Sequence, residues 1–507
     1  MTSDSGLPKI DRQHSVPFNR STWTDSPAVS ELVDRLAEEL GIVSLSKAGN
    51  RKPKTTAKDM LRILVADLFG NWLTDPSLSI GFSKNKTSYK VKSRYNKAGV
   101  SSKIIEIVRR LVDAGYLEEI KGFKDKTGKR DSFNSRIRPN DKLRTLFASM
   151  DANQYDIDYQ KNSELIILRE KYTDGEDDKK SRNVEYKDTE LTLELRRQLE
   201  SYNELLRRTF IDIPTLTEPF IRTVIKSGNR KGQEISVSIG PNNKHVHRVF
   251  NGTEADNFTK GGRFYGGWWL QVPKEYRPQI YINNKPTVEV DYKALHPSLL
   301  MNEPLYDPYD LGELLLPDVL TTLEEQRKVV KGVVLMAINA TSANAAFAAF
   351  RDDKKKGHPH KALTNRQLQV LLDEVKTRYP ELKDALNTGQ GLTLMNIDSQ
   401  IANLVLGFYT KVGIPVLCVH DSFIIEWGRE EELKRIMDGA SIQIKEKRIA
   451  KDAKKNERIS KAKLRGKKDA EGNPKIISIS TPATVYRTQQ YSERLEKHNT
   501  WLISHLP

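Results

Sequence analysis

A chain of 507 residues sets a prior of about three domains and is long enough to bury more than one core. Its 83 Lys and Arg against 67 Asp and Glu leave a formal charge of +16, which fits a polyanionic partner; a merely soluble basic protein is the competing reading. The one cysteine, Cys418, excludes an internal disulfide framework or a Cys-rich zinc site. With no signal-like amino terminus and no apolar run of about 18 residues, neither secretion nor membrane spanning is expected, and a cytoplasmic location is.

Residues 1–27 are polar, carry scattered Pro and Ser and lack periodicity, so a disordered or loosely docked arm is expected. Leu32, Leu36 and Leu40 predict an amphipathic helix over 30–45, and Met60, Leu61, Ile63, Leu64 and Leu68 predict another over 57–74. Residues 86–147 then read as a winged helix-turn-helix. Ser101-Ser102 caps a helix with the apolar face Ile104, Ile107, Val108 and Leu111, and Gly115 ends it. A strand over 116–120, a basic turn with Lys126 and Lys129, and a returning strand over 132–138 complete the unit. Lys103, Arg109 and Arg110 on the exposed helix face would enter a major groove while the turn lies on phosphates. A protein-interaction unit of the same shape is the alternative. The pattern is similar to winged helices of plasmid replication initiators and transcription regulators.

Residues 172–188 are charged and aperiodic, the best linker candidate. Leu193, Leu195, Leu199, Leu205 and Leu206, interleaved with arginines, predict a helix over 191–208. The aromatic run Phe264 to Trp269 reads either as a stacking surface or as packed core. Thr287-Val288-Glu289-Val290-Asp291 alternates as a strand does, and Pro297 with the apolar residues after it opens a helix. That junction can project a carboxylate from a sheet into a cleft. On the helix from Glu324 to Ala340, Arg327, Lys331, Leu335 and Asn339 recur every four residues and form one stripe. Cations about 6 Å apart along the axis suit a triphosphate; a solvated stripe answering Glu324 and Glu325 is the bland reading. Further on, Pro415 to Val419 reads as a strand that stops at His420-Asp421 and resumes, a hairpin with Asp421 at its tip. Two strand-end aspartates can share two divalent cations roughly 3.5–4 Å apart, the arrangement of in-line phosphoryl transfer.

Taken together and in this order, Asp291-Tyr292, the Arg327-Lys331-Leu335-Asn339 stripe and His420-Asp421 resemble the metal motifs and fingers helix of family A DNA polymerases and phage-type single-subunit RNA polymerases. Gly262-Arg263, followed by Leu270-Gln271-Val272-Pro273, is similar to the segment that precedes the first motif in that family. The resemblance covers roughly residues 190–430. It implies an α+β right-hand polymerase fold, with an antiparallel palm sheet and helical fingers and thumb, preceded by a winged helix-turn-helix domain. The implied division is an arm over 1–27, a DNA-binding domain over 28–150, a linker over 151–188, a thumb-like helical region over 189–255, palm and fingers over 256–440, and a basic extension over 441–507.

The resemblance also implies roles. Asp291 and Asp421 hold two Mg²⁺ ions, with Mn²⁺ as a substitute; Arg327 and Lys331 bind the triphosphate, Lys331 also protonating the leaving group. Tyr292, His296 and Asn339 complete the deoxynucleotide site, His296 excluding a ribose 2′-OH. Arg263, Gln400 and His420 touch the primer–template duplex. Three positions depart from the family: Asn339-Ala340 replaces the fingers Tyr-Gly, Ser422 follows Asp421 as in the RNA enzymes, and His296 stands at the sugar gate. The function expected is DNA synthesis from a primer 3′-OH without proofreading. An RNA polymerase, primase-like or template-independent enzyme on the same palm is the first alternative. A non-catalytic replication initiator or regulator is the second. A compact polymerase of this kind would suit a plasmid, phage, other mobile element or defence system.

Overall fold

In a computed structural model of the chain, the described residues are 14–42, 55–123, 133–174, 178–225, 232, 234–301, 308–455, 477–483 and 485–505. The amino-terminal part contains β1 (Ser15–Pro17), β2 (Thr22–Trp23), α1 (Pro27–Glu39), α2 (Ala57–Thr74) and β3 (Ser79–Phe82). It continues with α3 (Lys103–Asp113), β4 (Leu117–Ile120), β5 (Ser135–Pro139) and α4 (Asp141–Ser149). Helix α2 begins at a capping box, with the Thr56 side chain accepting from the Asp59 N–H and Asp59 answering the Thr56 N–H. It is apolar nearly all round and is buried accordingly, packed by α1 and α3. Residues 14–27 are not a loose arm: β1 pairs in parallel with β3, and His14 lies 2.8 Å from Asp75. Residues 1–13 lie outside the described set. As expected, Ile104, Ile107, Val108 and Leu111 are buried, and Gly115, at φ +75°, supplies the left-handed turn that ends α3.

One buried carboxylate in this part sets a pH dependence. Asp67 on α2 accepts from the Asn19 N–H at 3.0 Å, the Thr22 hydroxyl at 3.3 Å and the Asn71 amide at 3.3 Å. Burial outweighs these bonds and pushes the carboxyl up to about 7. Because the folded value lies above the unfolded one, the contribution of Asp67 to stability is complete below about pH 4 and is lost as pH rises through about 7. Asp67→Asn should therefore melt higher than the parent at pH 8, by on the order of 3 kcal/mol, and should lose that advantage by pH 4. Thermal melts of both proteins across this range check it; an advantage that does not grow with pH overturns the assignment.

The middle of the chain is richer in strands than expected. It holds β6 (Asp158–Tyr159), β7 (Ile166–Asp174), β8 (Asp178–Asn183), α5 (Glu190–Arg208), β9 (Ile211–Asp212), β10 (Phe220–Val224) and β11 (Glu234–Ser238), followed by β12 (His247–Asn251) and β13 (Gly261–Tyr265). Residues 151–188 are no linker: β7 pairs in parallel with β12 and antiparallel with β8, within a sheet ordered β13-β12-β7-β8. Charge and aperiodicity concealed the strands because an exposed hairpin needs no apolar face. Nor is 189–255 mainly helical. Among the described residues only α5 is a long helix there, and it lies against α11, introduced below, and β7, with Leu195, Leu199, Tyr202 and Leu206 buried.

The remainder comprises β14 (Tyr281–Ile282), β15 (Lys285–Tyr292), α6 (Leu295–Leu300), α7 (Leu323–Asn339), α8 (Ala343–Asp353), α9 (Asn365–Arg378), α10 (Pro380–Lys383) and α11 (Gly391–Lys411), then β16 (Leu417–Val419), β17 (Ser422–Glu426), α12 (Glu430–Lys455), β18 (Ile477–Ile479) and α13 (Gln489–His505). The strands form an antiparallel sheet ordered β16-β17-β15-β14-β9, and β18 also pairs with β15. The fold is thus mixed α and β with largely antiparallel sheets. Buried apolar side chains gather in two clusters, one spanning Val29 to Ile157 and the other Leu165 to Ile444. Trp268 and Trp269 belong to the second core, Trp269 donating to the Cys418 carbonyl at 3.0 Å, whereas Tyr265 is exposed. The aromatic run therefore divides between core and surface. Cys418 itself is buried. Among the described residues, no helix is long and apolar enough to cross a membrane.

Candidate functional site: two aspartates on adjacent strands

Strand β15 alternates, so Glu289 and Asp291 share one face while Val288, Val290 and Tyr292 enter the core. Asp291 is held from both sides: it pairs with Ser422 on β17 and with Ser478 on β18. Asp421 immediately precedes Ser422, in the two-residue turn between β16 and β17, where His420 takes the left-handed conformation at φ +61°. The register therefore places Asp421 beside Asp291 although about 130 residues separate them. Burial, then the charges of Asp421 and Glu289, push the Asp291 carboxyl up to about 7; Lys331 and Arg277 act in the opposite direction.

Neighbouring groups make this a charged cleft. Glu289 accepts from the Ser422 hydroxyl at 2.6 Å and from Arg277 at 2.8 Å. Lys331 lies on the outward stripe of α7, where Arg327 is half-buried and Asn339 exposed. Val329, Val330, Val333 and Val334 anchor the opposite face of that helix. The Asn339 side chain caps the Leu335 carbonyl at 2.7 Å, and its packing against Gly391 leaves no space for a Cβ there. Asp421 and Lys331, both separate from Asp291 in the sequence, thus come within electrostatic reach of its carboxyl.

Other expected site residues have different surroundings. Tyr292 is buried and donates to the Met437 carbonyl, which corrects its placement in a nucleotide pocket: strand alternation turns it away from Asp291. The Arg263 guanidinium is not free for a duplex but binds the carboxylate of Asp398, whose side chain is 0% exposed. Burial works against the charge on Arg263, yet Asp398 holds its pKa above the usual value. His296 Nε2 lies 2.8 Å from the same carboxylate, so Asp398 orients both residues. Gln400 is exposed on α11 and donates to Asn396 at 2.7 Å. The His420 ring meets Tyr265 edge to face at 6.0 Å, and its buried Nδ1 has no hydrogen-bond partner among the described residues.

The amino-terminal cations are also more engaged than expected. Arg109 pairs with Glu106 at 2.7 Å and Asp113 at 2.9 Å, while Arg110 bonds Glu106 at 3.0 Å and the Leu40 carbonyl at 2.8 Å. The helix face expected to read DNA is therefore largely neutralised by its own carboxylates, and Arg110 ties α3 to the end of α1. Lys103 is half-buried at the start of α3. Lys126 and Lys129 lie outside the described residues.

No protein-family model and no curated protein matches this chain significantly. The site therefore stands on its own geometry.

Sequence reading missed Glu289, Arg277 and Asp398. Strand period alone would have put Glu289 beside Asp291. Asp398, a lone carboxylate between Leu394 and Ile401 on an otherwise apolar helix face, carried the signal of a buried charge in need of a partner. Nothing local marked Arg277. A separate cleft of about 280 Å³, lined among others by Tyr159, Arg207, Lys244, His245 and Trp501, contains none of the aspartate-site residues.

No three His, Cys, Asp or Glu side chains among the described residues are grouped to hold a metal ion. The chemistry of the donor set nevertheless fits a cation: two adjacent hard carboxylates suit Mg²⁺, and burial, followed by the Asp421 charge, raises Asp291 in a way that a nearby positive charge would offset.

Proposed function

We propose that the chain is a template-directed nucleotidyltransferase, a DNA polymerase without proofreading that extends a primer 3′-OH. The observation that carries this reading is the approach of Asp291 and Asp421 across paired strands, with Lys331 of a separate helix acting on the same carboxylate. Two Mg²⁺ ions bound there would supply Lewis acidity toward the primer hydroxyl and the triphosphate. Asp291 and Asp421 would hold them. Lys331 and Arg327 receive the triphosphate and offset charge that develops on the leaving pyrophosphate, to which Lys331 passes a proton. His420, the neighbour of Asp421, would touch the primer terminus. Asp398 holds His296 in one orientation, as a fixed wall on the sugar side. In this reading the amino-terminal unit is a winged-helix module that brings the chain to DNA, with Lys103, Lys126 and Lys129 as its contacts.

Extension of a labelled primer, with dNTPs and NTPs in parallel and with and without template, tests the proposal. Templated addition of dNTPs is the expected result. Preference for NTPs moves the reading to an RNA polymerase or primase, and addition without template moves it to a nucleotide adder. No addition under any condition favours a non-catalytic DNA-binding protein.

A further inference from the structure

The β7–β8 hairpin sorts its side chains by strand period. Arg169 pairs with Asn183, Glu170 with Arg182, Lys171 with Ser181 and Tyr172 with Lys180. One face thus presents Arg169, Lys171, Ser181 and Asn183, and the other Glu170, Tyr172, Lys180 and Arg182. The acid is accounted for on the second face, where Arg182 bonds Glu170 at 2.9 Å and lies over the Tyr172 ring at 5.3 Å. Among the described side chains, the first face has cations and small polar groups but no carboxylate.

That face continues toward the aspartates. Strand β12 pairs with β7 only over Ile166 to Arg169, so the rest of the hairpin projects beyond the sheet. Arg248 and Phe250 on β12 turn inward and are buried, leaving His247 on the outer side. His247 stands opposite Tyr265 of β13, their rings 6.3 Å apart at 28°. The charge of Arg169 reaches His247, second to burial in lowering its pKa to about 4. Tyr265, 38% exposed, in turn meets His420, the neighbour of Asp421. From the aspartate turn outward, the surface therefore runs His420, Tyr265, His247, Arg169, Lys171.

We propose that this outer face and its projecting β7–β8 ribbon form the track for the nucleic-acid strand adjoining the aspartate site. Aromatic rings stack on bases or sugars near the site, and the cations farther out take phosphates. Crossing from β13 to β8 spans about 14 Å at the usual strand spacing, room for about four nucleotides at 3.4 Å each. The ribbon itself has the dimensions a DNA groove admits. The proposal rests on the nucleotidyltransferase reading for its direction, since the track is assigned by where it leads.

Anisotropy of a fluorescent primer–template duplex with the full-length protein, in the absence of Mg²⁺ and nucleotide, tests it separately from catalysis. Lys171→Glu and Ser181→Glu, both at exposed positions, should each weaken binding on the order of tenfold, and Lys171→Gln should lower the salt slope by about 0.9. Lys180→Glu makes the same charge change on the opposite face and should stay within about twofold of the parent. Equal weakening by Lys171→Glu and Lys180→Glu, or wild-type binding by Lys171→Glu, overturns the track. If the parent binds with this pattern yet extends no primer, the track stands and the polymerase reading falls. If it extends primers while the ribbon variants bind normally, the reverse holds.

Discussion

Replacing Asp291 by Asn should reduce primer extension at least about a thousandfold, the scale on which loss of one member of a catalytic unit acts. The same change should leave the fold intact and raise its stability above pH 7. Strands on both sides hold the backbone of residue 291, and Asn occupies nearly the volume of Asp. Burial and the charges of Asp421 and Glu289 raise the Asp291 carboxyl to about 7, so its contribution to stability is complete below about pH 4 and is lost as pH rises through about 7. Removing the charge removes that loss. Activity and stability should therefore move in opposite directions, as they do where a site stores electrostatic repulsion for a ligand. Single-turnover extension and thermal melts at pH 5 and pH 8 measure both. A variant that melts lower at pH 8 yet still extends primers would assign Asp291 a structural role.

Replacing Arg263 by Ala should cost about 3–5 kcal/mol in stability, because it strands the buried carboxylate of Asp398. His296 remains as a partner but does not replace a guanidinium that bonds both carboxylate oxygens. Adding Asp398→Asn to Arg263→Ala should recover about half of the loss or more, because the stranded charge is then gone. Denaturant unfolding of the two single variants and the double variant closes the cycle. Additive losses would show that Arg263 acts through packing alone. A cost below about 1 kcal/mol for Arg263→Ala, the range of exposed pairs, would show that the carboxylate is not truly sequestered.

Much of the site was readable because the relevant patterns are local. Alternation over residues 287–291 matches β15, spacing of four residues matches the outward stripe of α7, and the interrupted apolar run at His420-Asp421 matches the two-residue turn. The failures are of another kind. Charged residues 172–188 read as a linker and contain all of β8 and the end of β7, because strand pairing in an exposed hairpin is satisfied by backbone bonds that leave no apolar signature. Tyr292 was assigned to a pocket through its neighbour Asp291, against the period that sends adjacent strand residues to opposite faces.

Sequence by itself determined the basic charge, the strand bearing Asp291, the helix bearing Lys331 and the turn bearing Asp421, since each depends on residues within one or two turns of chain. Only the tertiary structure decided that Asp291 and Asp421 adjoin, that Asp398 claims Arg263 and His296, and that Arg110 reaches the Leu40 carbonyl at the end of α1. The physical reason is that a charge brought out of water must find its partner wherever packing delivers one. Packing is set by the burial of apolar faces far apart along the chain, which no local spacing records.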